Sequence, residues 1–147
     1  MPEEKELLDE ELAVESLNAA LCLQLRSALQ YSLTAASLVG LAEQAVAGEL
    51  THYGDDELAD ARRLVEKIVS LGGSPTTEVA ELRFDRDSIA AIGWLIECEN
   101  ETVEALQAAI EPTGREGRSE ALEHLLEHLI MRKQCQVDFL ERARATT

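Results

Sequence analysis

The segment LTHYGDDELADARRLVEKIVSL, residues 50–71, places its inward positions at alternating spacings of three and four, the period of one face of an α-helix. Along that face stand Leu50, Tyr53, Glu57, Asp60, Leu64, Ile68 and Leu71. The stripe is apolar at both ends and acidic in the middle. Gly72, Gly73, Ser74 and Pro75 then stop the helix.

Three further segments repeat this arrangement. A helical pattern after Pro2 runs to about Val39, with the stripe Leu17, Leu21, Gln24, Ala28, Tyr31, Ala35 and Leu38. The pattern around residues 50–71 starts at about Glu49. A third runs from near Ser88 to Ile110, with Ile89, Ile92, Ile96, Glu99, Val103, Leu106 and Ile110. A fourth follows the N-cap candidate Ser119 and reaches about Arg144, with Leu122, Leu126, Leu129, Lys133, Gln136 and Leu140. One polar residue on a helix stripe is commonplace. Gln24, Glu57, Asp60, Glu99, Lys133 and Gln136, spread over four stripes at matching heights, imply one polar layer across the middle of a bundle.

Composition agrees with an all-α chain. Of its 147 residues 46% are hydrophobic, which excludes disorder, and only 3% are aromatic. The formal charge of −16 would repel a nucleic acid duplex or an anionic membrane and attract cations, so neither nucleic acid nor membrane is expected as a partner. No apolar run approaches the ~20 residues that span a bilayer. The acidic start MPEEKELLDEE lacks the apolar core of a secretory signal. Cys22, Cys98 and Cys135 are an odd number in a chain long enough to fold without staples, so they read as reduced thiols in a cytoplasm.

The connection from Gly72 to Asp87 could reach roughly 50 Å when extended, whereas a 25-residue helix is only about 38 Å long. It can run the length of the bundle and make helices two and three parallel. The other connections suit antiparallel neighbours. One long crossover in a four-helix bundle is the ferritin-like topology.

With that topology, the stretches LNAALCLQLRSALQY (17–31), HYGDDELADARRLVEKIVSLGGSP (52–75), IECENETVEALQAAI (96–110) and QVDFLERA (136–143) resemble a bacterioferritin or a close relative in the ferritin-like superfamily. The resemblance covers most of the chain. It implies one four-helix-bundle domain over residues 1–147, without a fifth helix, in a homo-oligomer of at least two copies. It also implies a protein related to iron storage.

A di-iron centre of this family takes one Glu from each of two helices and a Glu-x-x-His from each of the other two. Carried over by position, the first lone Glu falls on Gln24, and the first Glu-x-x-His on Glu57 and Asp60. The second lone Glu falls on Glu99, and the second Glu-x-x-His on Lys133 and Gln136. Only Glu57 and Glu99 keep the expected type; Tyr31, a tyrosine near the family's centre, is also kept. Four carboxylates against two ferrous ions would be balanced. Here Glu57, Asp60 and Glu99 face Lys133, whose ammonium group can stand in for lost metal charge. The first expectation is therefore a metal-free plug in a degenerate, inactive ferroxidase centre. The second is a single iron or other divalent ion held by Glu57, Asp60 and Glu99 with help from Gln24. The third is a working ferroxidase, which a lysine at a bridging position opposes.

The resemblance also implies haem ligation by a helix-two methionine, but Leu58 occupies that position, so no haem is expected. His52 and Asp56 match a pair that binds iron on the inner surface of some bacterioferritins, a possible secondary metal site beside the plainer reading of a solvated face. His124 and His128, among Glu120, Glu123 and Glu127, stand at chelating spacing but off the stripe. The three thiols read as packing groups near the layer, and Trp94 as a core or interface anchor. A subunit with a dead centre could co-assemble with a catalytic ferritin-type subunit. The alternative of a different class is a metal-free structural or interaction bundle.

Overall fold

The structure, a computed structural model, describes residues 7–110 and 114–145. It contains α1 (Glu10–Ser37), α2 (Leu41–Ser70), α3 (Ser88–Ile110) and α4 (Gly117–Arg144). The beginning of the helical pattern after Pro2 lies outside the described residues. Asp9 opens α1, its carboxylate accepting the Leu12 amide at 3.1 Å, and Glu10 and Glu11 place negative charge at the positive end of the helix.

Helix α2 begins at Leu41, well before the expected Glu49. Only Leu38, Val39 and Gly40 separate it from α1, and Gly40 takes φ +117°, a conformation that favours glycine. The early start rests on Leu41–Ala47, a run rich in helix formers whose Ala47 and Val46 join the core. Gly48 faces open space and merely sits inside the helix. The C-terminus of α2 is as expected: Gly72 adopts φ +82° and the Gly73 amide reaches back to the Ile68 carbonyl at 2.9 Å, a Schellman closure.

The segment after Gly73 lies along α1. Asn18 donates to the Ser74 carbonyl and accepts from the Thr76 amide. Further on, Gln30 donates to the Arg83 carbonyl at 2.8 Å and accepts the Arg83 amide at 2.9 Å. The chain thus returns from the α2 C-terminal end to the opposite end, where Asp87 caps α3 through the Ala90 amide. Helices α2 and α3 are therefore parallel. In α4 the helix starts before Ser119, which is buried in its first turn with no hydrogen-bond partner for its hydroxyl instead of capping. Glu116 occupies the cap position and accepts from the Leu8 amide.

Two apolar clusters fill the bundle. One joins Leu17, Leu21, Leu64, Ile68, Leu106, Leu122, Leu126 and Leu129; the other joins Tyr31, Leu38, Leu50, Ile92, Leu95, Ile96, Val137 and Leu140. Between them lies the polar layer. Three stripe positions differ from expectation: Ile89 at the open end of α3 is 43% exposed, and Tyr53 and Ile110 are half-buried. Among the described residues no helix is long and apolar enough to cross a membrane.

Candidate functional site

Gln24 from α1, Glu57 and Asp60 from α2, Glu99 from α3, and Lys133 and Gln136 from α4 are all buried, none more than 2% exposed. Lys133 Nζ is the hub. It donates to Glu57 Oε2 at 2.6 Å and to Glu99 Oε1 at 2.9 Å. The Gln136 amide nitrogen bridges the same two carboxylates from the other side, at 2.6 Å to Glu57 Oε1 and 2.8 Å to Glu99 Oε2. That nitrogen also lies 3.4 Å from the Tyr31 hydroxyl. Gln24 donates to the Glu57 main-chain carbonyl at 2.9 Å and contacts Glu57 Oε2. The Gln24 and Gln136 side-chain carbonyl oxygens have no donor.

Asp60 does not face Lys133 as expected. Its carboxylate turns outward to Arg63 Nη1 and to Arg132 Nη1, the latter at 2.9 and 3.1 Å. The reason is helix geometry: Asp60 and Arg63 are one turn apart on α2, and Arg132 precedes Lys133 on α4 and so points to the flank of the layer. Glu57 and Glu99 are brought together; Asp60 is not brought to them. Among the described residues, no group of three or more His, Cys, Asp and Glu side chains gathers as a metal shell.

Electrostatics follow burial. Removal from water pulls Lys133 toward the neutral form, but the Glu57 and Glu99 charges outweigh it and the net shift is upward, so the free side chain enters the layer as an ammonium. Glu99 is pushed up to about 7, first by burial and then by the Glu57 charge, against the pull of Lys133. Burial also raises Asp60, with Arg132 opposing. The Tyr31 phenol is raised well above its ordinary value by burial and by the Glu99 and Glu57 charges.

Elsewhere, His52 Nε2 and Asp56 Oδ2 are 3.6 Å apart on the α2 surface. Leu58 is 44% exposed on α2. His124 and His128 are exposed, and His128 lies 3.3 Å from Arg132. Of the thiols only Cys98 is buried, its pKa pushed up to about 12 chiefly by burial; Cys22 is half-buried and Cys135 exposed, so neither packs in the interior as expected. Trp94 is half-buried between the Arg26 and Arg83 guanidinium groups and donates to Gln30. Sequence reasoning missed Arg63 and Arg132. Their signal was the adjacency of Arg63 and Arg132 to the layer positions Asp60 and Lys133. It also missed Arg26, a buried arginine on the other side of α1 from the layer stripe.

Four helices with one full-length crossover, and carboxylates of the second and third helices meeting at mid-height, define the carboxylate-bearing bundles. Residues 14–146 match the ferritin-like domain, and the chain belongs to that family. Its fold is similar to that of a ferritin-like, di-iron-carboxylate protein from Bacillus anthracis str. Ames, at 25% identity and TM-score 0.86 over 93% of this chain and 98% of that one. It is similar to the dodecameric thioferritin of Bacteroides fragilis, a bacterioferritin-related protein, at 19% identity and TM-score 0.83 over 92% and 86%. It is also similar to Desulfovibrio desulfuricans bacterioferritin, at 23% identity and TM-score 0.83 over 92% and 79%. No curated protein sequence matches it.

Proposed function

We propose that this chain is a bacterioferritin-like subunit that takes part in an iron-handling assembly without oxidising iron itself. The observation that carries the reading is Lys133 Nζ seated between Glu57 and Glu99 with no solvent exposure. Both carboxylates on which a metal would depend are already engaged by an ammonium and an amide. A divalent ion entering between them would meet a fixed positive charge at about 3 Å, which is strongly repulsive in a dry interior. Asp60 has its charge met by two guanidinium groups. These residues do not fit a di-iron centre.

The acidic surface supports cation collection, and the dodecameric thioferritin neighbour supports an oligomeric subunit. Such a subunit would co-assemble with a catalytic chain in the cytoplasm, and Leu58 supports a subunit without haem. Aerobic ferrous loading of the purified chain, followed by absorbance and light scattering, tests this. Iron oxidation at the protein-free rate on a particle larger than a dimer is expected. Saturable oxidation that Glu99→Gln abolishes would overturn it. A small particle that retains no iron would favour the metal-free structural bundle.

One observation favours a second reading. The unpartnered Gln24 and Gln136 carbonyl oxygens are hard donors beside Glu57 and Glu99. A single divalent ion could use them if Lys133 withdrew and Asp60 left its arginines. Anomalous scattering from crystals grown with manganese or ferrous iron distinguishes this. Density in the layer supports it, and density only at His52 and Asp56 assigns the metal to the surface pair.

A further inference from the structure

Lys133, Glu57 and Glu99 form more than an ion pair. An amine, a carboxyl carbon and a second carboxylate are held together with no solvent exposure, among side chains that donate to the carboxyl oxygens. We propose that Lys133 and Glu57 condense into an intramolecular amide that covalently joins α4 to α2, with Glu99 carrying the proton.

The geometry supplies each part of an acyl transfer. Nζ lies 2.6 Å from Glu57 Oε2, within reach of the carboxyl carbon. Glu99 Oε1, 2.9 Å from Nζ, accepts one ammonium proton and frees the nitrogen lone pair. Glu99 hands that proton to Glu57, to which it is hydrogen-bonded, so the acyl group is a neutral carboxylic acid; the lone pair then attacks Glu57 Cδ, the carbon–nitrogen bond forms and the carbonyl electrons move onto oxygen. Gln136 donates to Oε1 at 2.6 Å and Gln24 contacts Oε2 from α1, so the charge building on these oxygens meets preset donors. Glu99 takes the second proton lost from nitrogen and passes it to the departing hydroxyl, and the carbon–oxygen bond breaks as water leaves. The ammonium and the carboxylate become an amide and one water molecule, with no electrons gained or lost. Glu57 is the acyl partner because both its oxygens hold amide donors and Nζ is closer to it. Glu99 takes a single amide donor, Gln136, beside the lysine and the Tyr31 phenol.

Condensation is unfavourable between free groups in water, but two conditions differ here. A fixed pair has an effective concentration of roughly 10⁵–10⁸ M. The ions are also already stripped of water, so forming a neutral amide removes a desolvation penalty that an exposed pair never suffers. The proposal shares the seat of Lys133 with the functional reading. Its readout is a mass, however, so an iron-oxidising protein that carries the bond and a silent one that lacks it are distinguishable.

The test is the intact mass of the purified full chain under denaturing conditions, freshly prepared and after days folded at neutral pH. The folded wild type is expected to lose the mass of one water and to yield, after proteolysis, one branched peptide joining the Glu57 and Lys133 segments. Protein held in urea should keep its full mass. Lys133→Arg should keep it too, and Glu99→Gln, checked for helix content by circular dichroism, should slow the loss roughly a hundredfold or more. A folded wild type that stays at full mass overturns the proposal. So does a branch from Lys133 to Glu99, or water loss that persists in Lys133→Arg.

Discussion

Replacing Lys133 with leucine isolates what the ammonium contributes. Leucine keeps most of the apolar stem and removes only the charged end, so packing changes little. Left behind are Glu57 and Glu99, both fully buried, with Gln136 bridging them and Gln24 on Glu57. Removing one member of a buried ion pair destabilises a fold by roughly 3–5 kcal/mol. Two carboxylates share the loss here, so the upper half of that range applies. A domain of this size is stable by about 5–15 kcal/mol in total. Lys133→Leu should therefore lose about a quarter or more of its stability, measured as a fall in the urea midpoint by circular dichroism at pH 8. The loss should shrink at pH 5, where Glu99, raised to about 7, takes up its proton and no longer needs the ammonium. It should also be largely recovered by adding Glu57→Gln and Glu99→Gln, because neutral amides tolerate burial better than charges. If the amide bond is present in the wild type, the loss is larger still, so the sign is the same. An unchanged midpoint at pH 8 would refute the reasoning, since it would mean that Lys133 reaches solvent.

Three further outcomes follow from the same geometry. Glu99 is raised to about 7 by burial and by Glu57, so its contribution to stability is full below its unfolded value of 4.5 and disappears as pH rises through about 7; thermal melts should show the decline across that window and Glu99→Gln should flatten it. Arg132→Ala removes one of the two partners of Asp60 and should lower stability by about 1–3 kcal/mol in urea titration, whereas the pair Arg132→Ala with Asp60→Asn should recover most of it. Gly73→Ala places a Cβ 2.5 Å from Val14 Cγ1 and 3.1 Å from Ile68 Cγ2, so the Val14 side chain or the chain that carries it must shift; a loss of about 1–3 kcal/mol is expected from overpacking, and an unchanged melting temperature would mean that the α2 end moves freely.

The fold was legible because its signal is repeated. Each stripe alternates by three and four and changes from apolar to polar at the same height, and a single glycine pair with a long connection fixes the crossover. The start of α2 was not legible, since the three-and-four stripe begins only at Leu50, and the exposed Gly48 is just a weak defect in the run of helix formers that precedes it. Nor was the start of α4, where Ser119 has the chemistry of a cap but is buried inside the first turn. Burial of the layer positions followed from periodicity. The direction of Asp60 did not, because a stripe gives a residue's face and height but not which neighbouring helix supplies its counter-charge. Arg132 belongs to no stripe, and only the packing of α4 against α2 brings it to Asp60.

That partition alters the charge balance of the layer. Counted from the stripes, three carboxylates stand against one ammonium, an excess that would itself call for a metal ion. In the structure the groups separate into two sets. Glu57 and Glu99 surround Lys133 and carry one net negative charge when both are ionised. Asp60 with Arg63 and Arg132 carries one net positive charge at the flank. The two sets offset each other, and each guanidinium reaches solvent, where its own charge is inexpensive to hold. Three cationic side chains thus meet three carboxylates. On the function proposed above, the pull that would retain iron in an acidic pocket is met by the protein's own groups, and the −16 charge acts on cations at the surface.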